Sequence, residues 1–495
     1  MTTMHRGKEM SKLKSRCTAP IPSFRALLTL LLIIGASLGS VLAQQSQKDF
    51  APLEKAALDE LRETNTPGAA VAVVSGDRIV YVKGLGVSNV ETGTPVEPEM
   101  LFRTGSVGKM FTAALLTSLA EEGKIKLDEP IGKYVRGLSP KLSRVTSQQL
   151  LSGTAGLIDG EPLYGPQDES ALAKTVRSWN DDIFFLEPGK LYSYSNLGFI
   201  IAGLVAEEIG SKSYADLMSE RIFAPLGMKS TTFRPTMAMT RPLSQGHDSD
   251  SNSKPVVHRP FVESTASWPA GFTYSNVYDL ARFAIAFMNG GKIDGRQVLS
   301  PAVIAMMSTP HADILGENPS GWPRNGKYGY GLIIQNYRGV RMVWHGGSIA
   351  GFGAMFVMAP QQRFAVIILC NKTARWMFQT AEKAMEIMLP LDAEAEALPK
   401  QSLPMSAAEK ANYVGKYMRP GTERPETADI FLKEDQLYLR AYGFEQPITR
   451  VSADSFSVTV PGYRGPWRFK LLPVADGKAE YLCLSLGVMK RARDK

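Results

Sequence analysis

The sequence is poor in the residues that build disulfide frameworks and metal centres: its 495 residues include only three cysteines and five histidines. No Cys/His cluster has zinc-ligand spacing and there is no H-E-x-x-H, so nothing points to a metal or any other cofactor. Cys17, Cys370 and Cys483 are too few for a disulfide scaffold. Cys370 ends the apolar run Phe364-Ala-Val-Ile-Ile-Leu-Cys370, so buried thiols are the expectation for it and for Cys483, although spacing alone also permits a bond between them. A basic stripe with interleaved aromatics is lacking too, which argues against nucleic acid as a partner. The formal charge of +8 does not change this, because residues 1–43 hold a net +5 of it and leave +3 for the rest. Internal repeats and low-complexity tracts are absent.

What the first 43 residues do contain is ordered. Six basic side chains, from Arg6 to Arg25, precede the apolar run Ala26-Leu-Leu-Thr-Leu-Leu-Leu-Ile-Ile34, and Val41-Leu42-Ala43 places small residues before polar Gln44. This is the layout of a secretory signal peptide. The alternative is an uncleaved anchor, since Ala26 to Leu42 is barely long enough to span a bilayer. Either reading exports the bulk of the chain, to the periplasm or the medium, with no other membrane contact expected.

Beyond this segment, Pro52 to Arg62 has helical spacing, and Ala69–Ser75 and Ile79–Gly84 read as two strands joined at Ser75-Gly-Asp-Arg78. A helical middle runs from about Ser106 to Met288. Strand-like runs return at Tyr330–Gln335, Arg341–Trp344, Gly353–Met358 and Phe364–Leu369. Strands at both ends with helices between predict an α+β fold in which one antiparallel sheet is assembled from both ends of the region and flanked by helices. The predicted organisation is a signal segment over 1–43, a main domain over 44–391, a linker over 392–408 and a small all-β domain over 409–495.

Ser-x-x-Lys occurs three times, at Ser11/Lys14, Ser106/Lys109 and Ser251/Lys254. Only the second opens a helix that is apolar nearly all round: Met110 to Ala120 has Thr112, Thr117 and Ser118 as its only polar residues, and Gly123 follows as a C-terminal cap. A hydroxyl at such a helix start meets the positive end of the macrodipole and free backbone N–H groups. Lys109, three residues on, shares its face, and desolvation would make it a proton acceptor. The structural alternative is an N-cap serine beside a lysine that reaches solvent. Tyr-x-Asn occurs at Tyr194/Asn196, on a loop behind Glu187-Pro-Gly, and at Tyr274/Asn276, where Ser275 or Asn276 caps a helix. His345-Gly346-Gly347-Ser348 lies between two strands, and its glycines would let a substrate backbone approach closely. Ser348 lacks the strand-to-helix switch of a nucleophile elbow and is rejected as nucleophile.

The order S-x-x-K, Y-S-N, H-G-G resembles that of the serine β-lactamase and penicillin-binding protein superfamily, in its class C β-lactamase, D,D-peptidase and esterase branch. Phe102-Arg-Thr-Gly-Ser-Val-Gly-Lys109, Leu150-Leu-Ser-Gly-Thr-Ala-Gly-Leu157, Pro269-Ala-Gly271, Tyr328-Gly-Tyr-Gly-Leu332 and Trp344-His-Gly-Gly carry the likeness over about residues 50–390. The resemblance implies that Ser106 is acylated, that Lys109 and Tyr194 share the proton traffic, and that Asn196 contacts substrate. It further implies that His345 and Gly347 line the substrate strand and that the backbone N–H groups of Ser106 and Ser348 form the oxyanion hole. His345 stands where many relatives have a lysine, which favours an esterase or D-amino-acid peptidase over an efficient β-lactamase, acting on a small-molecule or peptide substrate. The alternative is a non-catalytic protein that binds cell-wall peptides. Gly153 stands where relatives often have histidine, and the sequence offers no reason for it. Trp268, Phe272 and Trp322 are candidate aromatic liners, with core packing as the other reading.

Overall fold

The computed structural model describes residues 48–318, 322, 326–393, 402–421, 425–461, 465–473 and 477–492. The signal segment lies outside the described residues, as does the stretch 394–401 of the linker. Residues 50–495 form one compact unit.

Its main sheet has nine strands, all antiparallel. In chain order they are β1 (Gly68–Ser75), β2 (Arg78–Asn89), β3 (Thr94–Pro95), β4 (Ala312–Asp313), β5 (Lys327–Tyr328), β6 (Ile333–Tyr337), β7 (Val340–Ile349), β8 (Phe352–Ala359) and β9 (Phe364–Cys370). Across the sheet the order is β4-β5-β6-β7-β8-β9-β1-β2-β3. The β9–β1 pairing, in register Ala69↔Cys370 through Ser75↔Phe364, joins the two ends of this region, as the distribution of apolar runs predicts.

The central strands are apolar throughout because both their faces are covered. Ala70, Ala72 and Val74 of β1, with Ala365, Ile367 and Leu369 of β9, face a core shared with the helical region. Ala69, Val71 and Val73, with Val366, Ile368 and Cys370, face a second core. That second core is closed by α1 (Ala51–Glu63) and α5 (Phe378–Met388). Three helices matter on the other side: α2 (Lys109–Glu121), α3 (Asn196–Gly210) and α4 (Val277–Met288). The two-residue alternation of a strand therefore divides each apolar run between two layers.

Helix ends follow their local chemistry. Gly123, at φ +72°, closes α2 with bonds from Gly123 N to Ala120 O and from Lys124 N to Leu119 O, the pattern of a left-handed glycine stop. The Asn276 side chain accepts from Asp279 N at 2.9 Å and caps α4. Cys370 and Cys483 are both buried free thiols.

The C-terminal region begins with a short helix, Ala407–Tyr413, which differs from the all-β expectation: Ser406 and Glu409 form a capping box strong enough to start a turn of helix. Nine strands follow: β10 (Gly415–Arg419), β11 (Glu426–Lys433), β12 (Gln436–Ala441), β13 (Phe444–Pro447), β14 (Thr449–Arg450), β15 (Ser455–Thr459), β16 (Pro466–Pro473), β17 (Ala479–Leu484) and β18 (Gly487–Arg491). Sequential neighbours pair, β18 returns to β10, and only Ile448 separates β13 from β14, so the sheet closes on itself as a barrel. Tyr417, Leu439, Phe456, Phe469 and Met489 fill its interior.

Candidate active site

The buried character of α2 is what fixes the site. All of its residues from Lys109 to Thr117 are inaccessible, Lys109 included. Ser106 sits one turn earlier, in the 3-10 turn Gly105–Gly108 that feeds the helix. Lys109 Nζ lies 3.1 Å from Ser106 Oγ, 2.5 Å from Asn196 Oδ1 and 2.5 Å from the carbonyl oxygen of Ala270. An ammonium has three protons and here finds three acceptors. Burial lowers the Lys109 pKa to about 8, while the Glu161 and Asp159 carboxylates oppose the shift. Glu161, itself pushed upward by burial, is an acidic neighbour that no sequence motif flagged.

Tyr194 lies across the lysine, its ring centroid 4.9 Å from Nζ. Burial raises its pKa well above the usual phenol value, while a hydrogen bond with Ser106 opposes the rise. It stays a neutral phenol at physiological pH. Ser195, between Tyr194 and Asn196, caps α3 by accepting from Gly198 N and donates to Ile158 O at 2.7 Å. These bonds turn Tyr194 and Asn196 inward on either side of Lys109.

Strand β7 supplies the opposite wall. Its pairing with β6 ends at Trp344, so from His345 to Ile349 it pairs only with β8. The turn carrying Ser106 packs close to this free stretch. A Cβ on Gly105 would lie 2.5 Å from Ser348 N, and one on Gly347 would lie 2.0 Å from Thr104 O and 3.2 Å from Ser106 N. Gly347 thus admits the protein's own backbone rather than a substrate's, and Gly346 lies beneath Trp376. The Ser348 nitrogen thus lies against Gly105, and the Ser106 nitrogen against Gly347. Ser348 Oγ is turned away and accepts from Ala374 N at 3.1 Å.

His345 is 3% exposed. Its Nδ1 lies 2.6 Å from the Gly346 carbonyl, which can only accept, so Nδ1 carries the proton and Nε2 accepts from Tyr328 Oη at 3.1 Å. Burial lowers its pKa to about 3, with the Lys109 charge adding to the effect. The imidazole is neutral and offers no cation to a substrate.

Ser106, Tyr194, His345, Gly346 and Ser348 border one cavity of about 200 Å³. Its other walls are Tyr192, Trp322, Ile333, Trp344, Trp376 and Phe378, together with Asn318, Ser485 and Leu486. Among these described lining residues there is no lysine or arginine. Asn196 and Gly347 do not border it: Asn196 is engaged with Lys109, and Gly347 lies against Thr104. Trp322 is a liner, whereas Trp268 and Phe272 pack into the core. Trp376 and Phe378 carry no sequence signal, but Trp344 adjoins the H-G-G motif and Tyr192 adjoins Y-S-N. The barrel, whose sequence carries no chemical motif, contributes Ser485 and Leu486. Gly153 also acquires a reason. It has φ +68°, and a Cβ there would lie 2.9 Å from the Tyr192 ring, so glycine makes room for a cavity wall.

The sequence model of the family described as "Beta-lactamase" matches residues 50–386. The unguisins hydrolase ungD' of Aspergillus campestris is 31% identical over 340 residues, which span 66% of this chain and 62% of that protein. Penicillin-binding protein 4 of Amycolatopsis lactamdurans is 28% identical over 378 residues, 73% of this chain and 96% of the relative. The octameric penicillin-binding protein homologue from Pyrococcus abyssi superposes with a TM-score of 0.61 at 24% identity, covering 89% of this chain and 99% of that one. At that identity the likeness is one of fold. It extends over more of this chain than the family match does.

Proposed function

The chain belongs to the beta-lactamase family, and we propose that it is a serine hydrolase that cleaves an ester or amide through an acyl-enzyme on Ser106. One observation carries this reading: the buried Lys109 Nζ stands 3.1 Å from Ser106 Oγ with its other two partners fixed as acceptors. When Lys109 loses a proton, Asn196 Oδ1 and Ala270 O retain the two remaining N–H bonds. The lone pair is then directed at the serine hydroxyl. Lys109 is the base for acylation, because Tyr194 is held far above the pH at which a phenolate forms. Ser106 Oγ attacks the carbonyl carbon, its proton passes to Lys109, and the oxyanion is met by Ser106 N and Ser348 N. On collapse the leaving group takes a proton from Lys109, relayed by the Tyr194 hydroxyl. Water then hydrolyses the acyl-enzyme.

The cavity favours an ester or a D-amino-acid amide over a β-lactam. A carboxylate placed among Trp322, Trp344 and Trp376 would be desolvated without a described cation to pair it, whereas an apolar or aromatic side chain would bury there. The fungal relative is a hydrolase by name. Export of the chain through residues 1–43 is part of the same proposal, and a mature protein beginning at Gln44 is its expected sign.

A fluorophosphonate probe should label the protein, Ser106→Ala should abolish the label, and Ser348→Ala should largely spare it. Purified protein that never acquires label would sink the proposal. A panel of p-nitrophenyl esters, D-amino-acid anilides and nitrocefin tests the substrate class, with nitrocefin expected to be the poorest.

A further inference from the structure

We propose that Arg419, from the C-terminal barrel, is a positioning residue for acylation that holds Tyr194 and Asn196 in place by gripping the segment at both ends. This rests on the assignment of Tyr194 and Lys109 to proton transfer.

Arg419 ends β10 and is 5% exposed. Its Nη2 donates to the Tyr194 carbonyl at 2.7 Å and approaches Asp159 Oδ2 at 3.1 Å, and Nη1 faces Glu426 Oε2 at 3.6 Å. Asp159 in turn accepts from Asn196 N through Oδ1 at 2.9 Å. One planar guanidinium therefore reaches Tyr194 directly and Asn196 through a single carboxylate. The barrel also takes the other backbone group of Tyr194, whose N–H donates to Leu486 O at 2.9 Å. At the start of β18, a Cβ on Gly487 would lie 2.5 Å from Ser193 Oγ. The main domain supplies the Tyr194 and Asn196 side chains, but the barrel holds both backbone groups of Tyr194.

The same contact has an electrostatic consequence. Lys109 is faced by the Asp159 and Glu161 carboxylates, by Tyr194 and by neutral His345. Arg419 pairs with Asp159 and offsets part of the negative charge that would otherwise keep Lys109 protonated. Loss of the guanidinium should therefore displace the tyrosine and also raise the pH at which Lys109 becomes a base.

The test measures the rate of fluorophosphonate labelling of the full-length protein against pH. Arg419→Gln should lower the plateau rate by about 10²-fold, the scale of an ångström-size misplacement, and move the midpoint upward. Arg419→Lys keeps the charge but loses the fork, so its rate should fall without a shift of midpoint. In Arg419→Gln with Asp159→Asn the midpoint should return towards the wild-type value while the rate stays low. Arg440→Gln, on the exposed barrel face, is the control and should behave as wild type. If Arg419→Gln does not fold, Arg419→Lys decides. Wild-type labelling with undiminished rates in the folded Arg419 variants would overturn this inference and leave the Ser106 assignment standing; absence of labelling in wild type would instead overturn the assignment.

Discussion

The Thr104 carbonyl oxygen and the Gly347 Cα are in such close contact that a Cβ on residue 347 would lie 2.0 Å from that oxygen. The contact is reciprocal, since a Cβ on Gly105, the residue after Thr104, would lie 2.5 Å from Ser348 N. Two glycines on separate elements thus set the distance between the Ser106 turn and strand β7. Through it they set the spacing of the two backbone donors proposed for the oxyanion.

Gly347→Ala should therefore act on rate rather than on binding. Backbone must move by about an ångström to admit the methyl group, and a displacement of that size costs about 10²-fold in a reaction that depends on aligned donors. The labelling rate of Ser106 should fall by that factor while the protein remains folded by circular dichroism. A variant that labels as fast as wild type would mean that the close approach serves packing alone.

Acylation should rise with pH through about 8. Below that value Lys109 is an ammonium and cannot accept the Ser106 proton; above it the amine is free. His345, held near 3, adds no limb between pH 5 and 7, and Tyr194 adds none below 10. Glu161, pushed up by burial to about 7, loses its proton beside Lys109 in the same window, so the expected profile is one ascending limb broadened by the two groups. Lys109→Arg should remove it together with the activity, because a guanidinium does not lose its proton in this range.

Much of this site is legible in the chain because local pattern carries it. The Ser106 helix announces itself by its unbroken apolar surface, and the Pro-Gly loop before Tyr194 marks a turn into another apolar helix. What stays hidden is of two kinds. Ala270 acts through its carbonyl oxygen, and a backbone acceptor has no residue identity to read. Arg419 and Leu486 act across more than two hundred residues of chain, and only the barrel's docking brings them to Tyr194. The separate β-rich texture of the C-terminus is readable; its reach into the cavity wall is not.

The buried His345 should make the protein acid-sensitive. Its folded-state pKa, about 3, lies below the 6.5 of an unfolded histidine. Between those values the unfolded chain binds a proton that the native state refuses, so stability falls as pH drops from 6.5 towards 3. The slope from this one group approaches about 1.4 kcal/mol per pH unit. His345→Gln keeps a side-chain acceptor for Tyr328 and has nothing to titrate. Chemical denaturation of both proteins at pH 7 and pH 5 should show a larger loss in wild type; equal losses would place the acid sensitivity elsewhere.

Gly153→His should be harmful for a reason specific to this chain. Position 153 has φ +68°, where a side chain is strained, and its Cβ would meet the Tyr192 ring at 2.9 Å. Tyr192 cannot easily yield, since it is 5% exposed, packs against Tyr328 with ring centroids 5.1 Å apart and borders the cavity beside Ser106. Strain and overpacking together should cost about 2–4 kcal/mol and lower activity by distorting the cavity wall. Adding Tyr192→Ala to Gly153→His removes the clash but not the backbone strain. The double variant should therefore regain part of the stability lost in Gly153→His, whereas simple additivity of the two changes would show that Gly153 and Tyr192 are not coupled.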